Sequence, residues 1–253
     1  MYRRFLWPLA LVTLGLATNS AFSAEGESRL IDMAVNLADT KQFTVDIEMT
    51  YDVLQESGQI IEFGEVRTLQ IARPDYLRVD AQQSDGDSGG FIFDGKTITQ
   101  FSDTHNVYSQ VDRPGHIDGA IRYAVRELGV RFPLARMLVT SFPEEMRRLT
   151  TGVYFVERNT LGPVPTDHIA GITDDLDYQI WIREDNFPTR IILTYKNAPG
   201  QPQFRADFSN WNTSPSLKRG SFIFKAPDES EKIPTLLPVS SAIATNPTKG
   251  DAK

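Results

Sequence analysis

Apolar and polar side chains alternate along Phe43–Val53 more cleanly than anywhere else in the chain. Phe43, Val45, Ile47, Met49, Tyr51 and Val53 fall on one side; Thr44, Asp46, Glu48, Thr50 and Asp52 fall on the other. Successive strand residues point to opposite faces, so the pattern predicts a long strand with one buried and one solvated face. Ser57-Gly58 predicts a turn into a second long strand, Gln59–Ala72. The phase of that strand changes around Gly64, which predicts a bulge or bend. A third strand, Tyr76–Ala81, follows Pro74, and Ser84–Gly90 (SDGDSGG) reads as a flexible loop. Asp94-Gly95 marks a hairpin between Phe91–Phe93 and Thr97–Phe101, and Asn106–Val111 completes this half.

The second half is organised around Leu176–Trp211. Leu176, Tyr178, Ile180 and Ile182 recur at period two, as do Ile191, Leu193 and Tyr195, and then Phe204, Ala206 and Phe208. Asp185-Asn186 and Asn197-Ala198-Pro199-Gly200 supply the turn chemistry. The result is a three-stranded meander with one face in a core. Val153–Arg158 and Asp167–Ile172 predict two strands before it, and Phe222–Lys225 a last short one after it.

Helical spacing occurs in two places. Leu30, Ile31, Ala34, Leu37 and Ala38 predict a helix over Glu25–Thr40 that packs one stripe on the sheet. Ile117, Ala120, Ile121, Ala124, Val125 and Leu128 predict a second helix, with Gly129 at its stop. Pro133 and Pro143 open two shorter helical pieces, around Leu134–Val139 and Glu144–Arg148. The class is therefore mainly β (α+β): an N-terminal helix, then strands, a helical insert, and more strands. About eleven antiparallel strands in one domain predict a strongly curved sheet or barrel, with the insert covering one opening.

Composition adds a compartment. Arg3 and Arg4 precede an apolar run of 13 residues, Phe5–Ala17, and Ala21-Phe22-Ser23 offers small residues for cleavage after Ser23. Residues 1–23 thus read as a secretory signal peptide, too short in its apolar run to span a bilayer. The domain then runs over 24–227, and the Pro-, Ser- and Thr-rich residues 228–253 read as a flexible tail. The expected compartment is the periplasm. The chain has no cysteine, so the core holds by packing alone and no lipobox is available; the expected mature protein is soluble, neither lipid-anchored nor membrane-spanning. Net charge is -7, becoming -9 without residues 1–23, which disfavours nucleic acid.

Candidate chemistry is sparse. His105, His116 and His168 share no metal-ligand spacing, and there is no thiolate to help them. Asp85 and Asp87 open like a calcium loop, but Gly89 and Lys96 stand where ligands are needed. Asp174, Asp175 and Asp177 read as solvated loop carboxylates. No G-x-S-x-G or S-x-x-K motif occurs. A hydrolytic triad assembled from distant residues is the weakest expectation. No catalytic residue, metal or cofactor is expected.

Two features point to binding instead. The inward faces of the long strands either fill a core or line an apolar cavity; the candidate lining is Phe43, Val45, Ile47, Met49, Tyr51, Tyr178, Ile180, Ile191 and Leu193. Residues 113–148 hold seven arginines and four acids in an otherwise acidic chain. Arg122 and Arg126 lie off the apolar stripe of the main helix and could meet acidic headgroups or a protein partner.

The succession ARPDYLRVD (72–80), FIFDGKTITQFSDTHNVYSQV (91–111), PGHIDGAI (114–121), DYQIWIREDNFPTRIILTYK (177–196) and ADFSNW (206–211) resembles a family of periplasmic bacterial proteins of unknown function. That family is itself similar to the lipoprotein-carrier superfamily of LolA, LolB and RseB. The shared pieces are R-P-x-x-L-R, F-D-G-K-T and the tyrosine before the helix, over most of residues 25–227. The resemblance implies a half-open antiparallel barrel with a helical lid over a cavity for acyl chains. The lid would be Ile117, Ile121, Val125 and Leu128 of the insert, with Met137 from the following piece. The expected function is non-enzymatic carriage of a lipid acyl chain or other hydrophobe. The alternative is an envelope sensor or interaction module with a filled barrel.

Overall fold

A computed structural model describes residues 18–130 and 132–234 of the chain. Helix α1 (Thr18–Asp39) leads into six strands: β1 (Gln42–Leu54), β2 (Ile60–Ala72), β3 (Tyr76–Gln83), β4 (Ser88–Phe93), β5 (Thr97–Ser102) and β6 (Val107–Asp112). The helical insert follows: α2 (Ile117–Arg126), a 3-10 turn (Ala135–Leu138) and α3 (Phe142–Leu149). Strands β7 (Gly152–Asn159), β8 (Thr166–Ile172), β9 (Asp177–Arg183), β10 (Pro188–Thr194) and β11 (Gln203–Asn212) come next, then a 3-10 turn (Arg219–Phe222) and β12 (Glu231–Lys232).

All twelve strands form one curved, open sheet in the order β12-β6-β5-β4-β3-β2-β1-β11-β10-β9-β8-β7. Every neighbouring pair is antiparallel except β12 with β6. The two halves join where β1 pairs with β11, for example Met49 opposite Ala206. The expected mainly β class and the meander over residues 176–211 are what the chain adopts.

Several expectations change in detail. Strand β4 begins at Ser88, so the expected loop shrinks to a turn in which Asp87 N–H donates to the Asp85 carboxylate. Gly89 and Gly90 belong to the strand because the neighbouring strand closes on them. A Cβ on Gly89 would lie 2.3 Å from Phe101 O, and one on Gly90 2.7 Å from Phe101 Cζ. No bulge occurs at Gly64, where the β1–β2 register runs unbroken through Thr50 opposite Gly64. The phase change has another cause: the first half of β2 extends past the core, leaving Ile60, Ile61, Phe63 and Val66 exposed.

The C-terminal segment is also different. Phe222–Lys225 is not a strand but part of a strap. Phe222 packs on Tyr76, ring centroids 5.4 Å apart, and Phe224 packs on Phe101 and Tyr108 at 5.4 and 5.1 Å. Beyond Pro227, where the pattern ends the domain, Glu231–Lys232 still pair with β6 and Ile233 N–H donates to Tyr108 O at 2.8 Å. Backbone pairing here needs no apolar periodicity, so the sequence pattern does not show it. The expected signal peptide and the rest of the expected tail lie outside the described residues, apart from the start of α1, which begins at Thr18 ahead of the expected Glu25.

Helix α1 lays Leu30, Met33, Ala34 and Leu37 into the core. Arg29 anchors it by donating to Asp167 at 2.7 Å and to Arg183 O at 2.9 Å, and Arg158 meets the same carboxylate at 2.8 Å. At the other end Arg73 donates to Leu37 O and Thr40 O, the open carbonyls of the helix C-terminus, and to Leu138 O in the insert. A cation there complements the helix dipole. Burial lowers the Arg73 pKa, with the nearby Asp118 charge opposing the shift.

Near its start α1 touches β7 backbone to backbone. A Cβ on Gly26 would lie 2.7 Å from Phe155 N and 2.9 Å from Tyr154 C. Gly26→Val should therefore destabilise the fold by about 1–3 kcal/mol through overpacking. Gly119→Ala, in α2 with nothing within 4 Å of the added atom, should stabilise it by about 0.5–1 kcal/mol. Urea denaturation of the two variants beside the parent chain checks both signs.

Candidate ligand cavity

The inward rows of the sheet follow from the register. Val45, Leu69, Val79, Phe91, Gln100 and Ser109 form one row across β1 to β6. The next row holds Ile47, Arg67, Ala81, Gly89 and Ser102. Its β3 and β4 positions are small, so the sheet surface is recessed there. Helix α2 crosses above with Ile117, Ala120, Ile121 and Ala124 buried.

Between them lies a cavity of about 140 Å³. Leu77, Val79, Ala81, Gly90, Phe91 and Gln100 form its floor, Ile121, Ala124 and Val125 its roof, and Val130, Phe132, Ala135 and Arg67 its sides. The volume is close to the roughly 150 Å³ apolar cavity that takes up benzene in the engineered lysozyme case. Among the described residues, two polar side chains border it. Arg67 is held in a two-point ion pair with Glu65, at 2.7 and 3.1 Å, and its guanidinium lies 4.7 Å from the Phe132 ring centroid. The Oε1 atom of Gln100 is buried and, among the described residues, has no hydrogen-bond partner. Such an acceptor costs roughly 1–3 kcal/mol while it remains unpaired.

The roof is tied down mainly at its N-terminal end. Ile117 N–H donates to Pro74 O at 2.8 Å, and His116 Nδ1 lies 2.6 Å from Asp75 Oδ1. The Thr140 N–H donates to both oxygens of Asp118 at 3.1 Å. At the other end Gly129 stops the helix with φ +65°, and Val125 is 42% exposed.

The expected lining residues are elsewhere. Phe43, Val45, Ile47, Met49, Tyr51, Tyr178, Ile180 and Ile191 are buried and Leu193 is half-buried, but none borders this cavity. Phe43, Val45 and Ile47 face Leu37, Leu134, Met137 and Leu138 across a gap of about 10 Å³, about the least that holds one water. That part of the concave face is filled. Tyr178 fills another part by lying over Gly171, where a Cβ would fall 2.0 Å from its Cζ atom; its hydroxyl meets Thr150 Oγ1 at 2.9 Å.

Of the expected lid, Ile121 and Val125 border the cavity, Ile117 is buried, Leu128 packs half-buried on the core, and Met137 belongs to the filled region. Arg122 and Arg126 are exposed, with Arg122 3.5 Å from Asp118. The pattern missed Leu77, Val79, Phe91 and Gln100 as lining; the available signal was the small pair Gly89-Gly90 and the polar interruptions Gln100 and Ser102 in a strand face begun by Ile98.

The histidines stand apart from this cavity, each with its own partner. His105 pairs with Ser102, His116 with Asp75, and His168 with Gln179. Burial lowers the His168 pKa, and its ring stacks on Trp181 at 4.0 Å. Among the described residues, no three His, Asp or Glu side chains are grouped to hold a metal.

Residues 26–236 match the family model described as "Predicted periplasmic protein (DUF2092)". The chain belongs to the DUF2092 family. No curated protein matches it. Similar solved structures include an uncharacterised conserved protein from Thermus thermophilus (6% identity, 82% of this chain and 98% of that one, TM-score 0.48). LprF from Mycobacterium bovis is another (12%, 78% and 97%, TM-score 0.45). A third is the LolA superfamily protein NE2245 from Nitrosomonas europaea (10%, 79% and 97%, TM-score 0.36). No helix among the described residues of this DUF2092 chain is long and apolar enough to cross a membrane.

The filled side of the concave face has a pH signature. Burial pushes the Tyr178 pKa up to about 12, with the Thr150 hydrogen bond opposing it; burial also raises that of Tyr195. An unfolded tyrosine ionises near pH 10. The neutral Tyr178 therefore contributes stability that is present below about pH 10 and is lost as pH rises through about 12. Denaturation midpoints between pH 9 and 12 should fall, and Tyr178→Phe should make the fall shallower.

Proposed function

We propose that this protein is a non-enzymatic binding or carrier protein of the periplasm, exported by residues 1–23. Its ligand is a lipid acyl chain or a similar hydrophobe, bound between α2 and the inner faces of β3 to β5. The observation that carries this reading is the apolar cavity kept open beneath α2 while the neighbouring concave face is packed shut. A cavity of about 140 Å³ admits one ring or a short chain segment. A longer chain requires α2 to lift, and the placement of its anchors favours opening from the Val125 end. The outer side of α2, with Arg122 and Arg126, would then face headgroups or a receiving protein.

Native mass spectrometry of protein purified without detergent should show a bound acyl-chain mass, or uptake of one on incubation with phospholipid. The double variant Ile121→Asp/Val125→Asp places charge at the apolar roof and should weaken retention by about tenfold or more, with the β-sheet circular dichroism unchanged. Retention equal to the parent chain would sink the lid assignment. A ligand-free mass throughout, together with a stoichiometric protein partner lost on Arg122→Glu/Arg126→Glu, would favour the interaction-module reading.

A further inference from the structure

We propose that the ligand held beneath α2 is a single-chain amphiphile with an anionic head, and that the Arg67 guanidinium receives this head at the rim of the cavity. This rests on the cavity being a ligand site, as proposed above. The inner face of β2 and β3 changes character along the strands: Leu69 lies opposite Val79, then Arg67 opposite Ala81, then Glu65 opposite Gln83. The apolar end of that series lies under the helix, and Arg67 stands at the cavity margin. Its guanidinium is fixed there. Nε and Nη2 donate to Glu65 at 2.7 and 3.1 Å, and Cζ lies 4.7 Å from the centroid of Phe132, a ring that itself lines the cavity. The Arg67 and Glu65 side chains keep 14% and 15% of their accessible surface, so a group at the rim can touch them. Val130 and Phe132 follow α2 at its Val125 end, where Val130 N–H donates to Ala124 O at 2.9 Å. The polar rim and the opening end of the helix therefore coincide.

Complementarity decides the class. Side-on pairing through Nε and Nη2 leaves the hydrogens of Nη1 without an acceptor among the described residues. A guanidinium only donates, so its complement is an oxygen acceptor, and the bond is strongest when that oxygen is anionic. Glu65 does not preclude a second acid. Arg205 Nη1 lies 2.9 Å from Asp52 and 3.0 Å from Glu62, so one guanidinium shared by two carboxylates already occurs in this fold. Both Glu65 oxygens are taken by Arg67, and a cationic head would meet the guanidinium as a like charge. The cavity of about 140 Å³ admits a segment of one chain rather than several. The anionic head is either the carboxylate of a fatty acid or the phosphate monoester of a single-chain lipid.

Decanoate and decanol, equal in chain length, separate the charge from the hydrocarbon. Isothermal titration calorimetry of the whole chain with each gives an affinity ratio, decanoate over decanol. Arg67→Gln removes the cation and should lower that ratio about tenfold. Glu65→Gln removes the resident anion and should raise it. The double variant Glu65→Gln/Arg67→Gln leaves no stranded charge at the rim and should lose the preference as Arg67→Gln does, which separates head-group recognition from a folding defect. Decyl phosphate identifies the source: a phosphate monoester is indicated if its Arg67-dependent gain exceeds that of decanoate, and a fatty acid if it does not. A preference for decanoate retained in both Arg67 variants overturns the proposal. So does a parent chain that binds decanol at least as tightly as decanoate, a result that leaves the carrier reading standing. Binding of none of the probes removes both.

Discussion

A sheet that curves without closing presents a concave apolar face, and that face has to be covered. The fold answers this in two places. Helix α1 lies against β7 and β8 through the close approach at Gly26 and the Arg29–Asp167 pair. The insert between β6 and β7 covers the rest. Arg73 links the two covers, because one guanidinium serves carbonyls from α1, from the residue just after it and from the 3-10 turn of the insert. Those carbonyls cannot be satisfied within the helices that present them, so the cation stabilises both covers and sets their relative position.

Within that arrangement the two ends of the concave face behave differently for reasons of side-chain volume. Near the start of β1, large side chains interdigitate: Trp211 packs on Phe43, Phe187 and Phe208, and its indole N–H donates to Pro188 O. Interiors pack to near-crystalline density wherever shapes permit, and here little space remains. Under α2 the floor includes the small residues Ala81 and Gly90, while the roof is a single helix with small Ala120 and Ala124 on its inner stripe. Hollowness is therefore a local property of a few small residues, not of the concave face as a whole.

The charge of the insert is less free than its composition suggests. Arg122 faces Asp118, and Arg136 lies 3.6 Å from Glu145. Such exposed pairs contribute little stability, but they lower the local excess of positive charge. Arg126 remains on the outer surface of α2, and the partly exposed Val125 beside it lies at the edge of the cavity. Helix α2 thus has an apolar inner stripe and a mixed, only weakly basic outer surface.

Strands β1 to β11, the helical insert, the mainly β class and the apolar faces were legible from periodicity, because a period of two or of 3.6 residues is a local property of the chain. Phe43, Val45, Ile47 and Met49 read as inward-facing, and they are. What they face was not legible. Whether an inward residue touches another side chain or empty space depends on the volumes supplied by segments far away in sequence, such as Leu134 and Met137 opposite Phe43. The same holds for Gln100, whose unpaired oxygen becomes visible only when the strands on either side and the helix above are in place. The sequence determined which face of each strand is apolar; only the tertiary structure decided which part of that face is packed and which part is open.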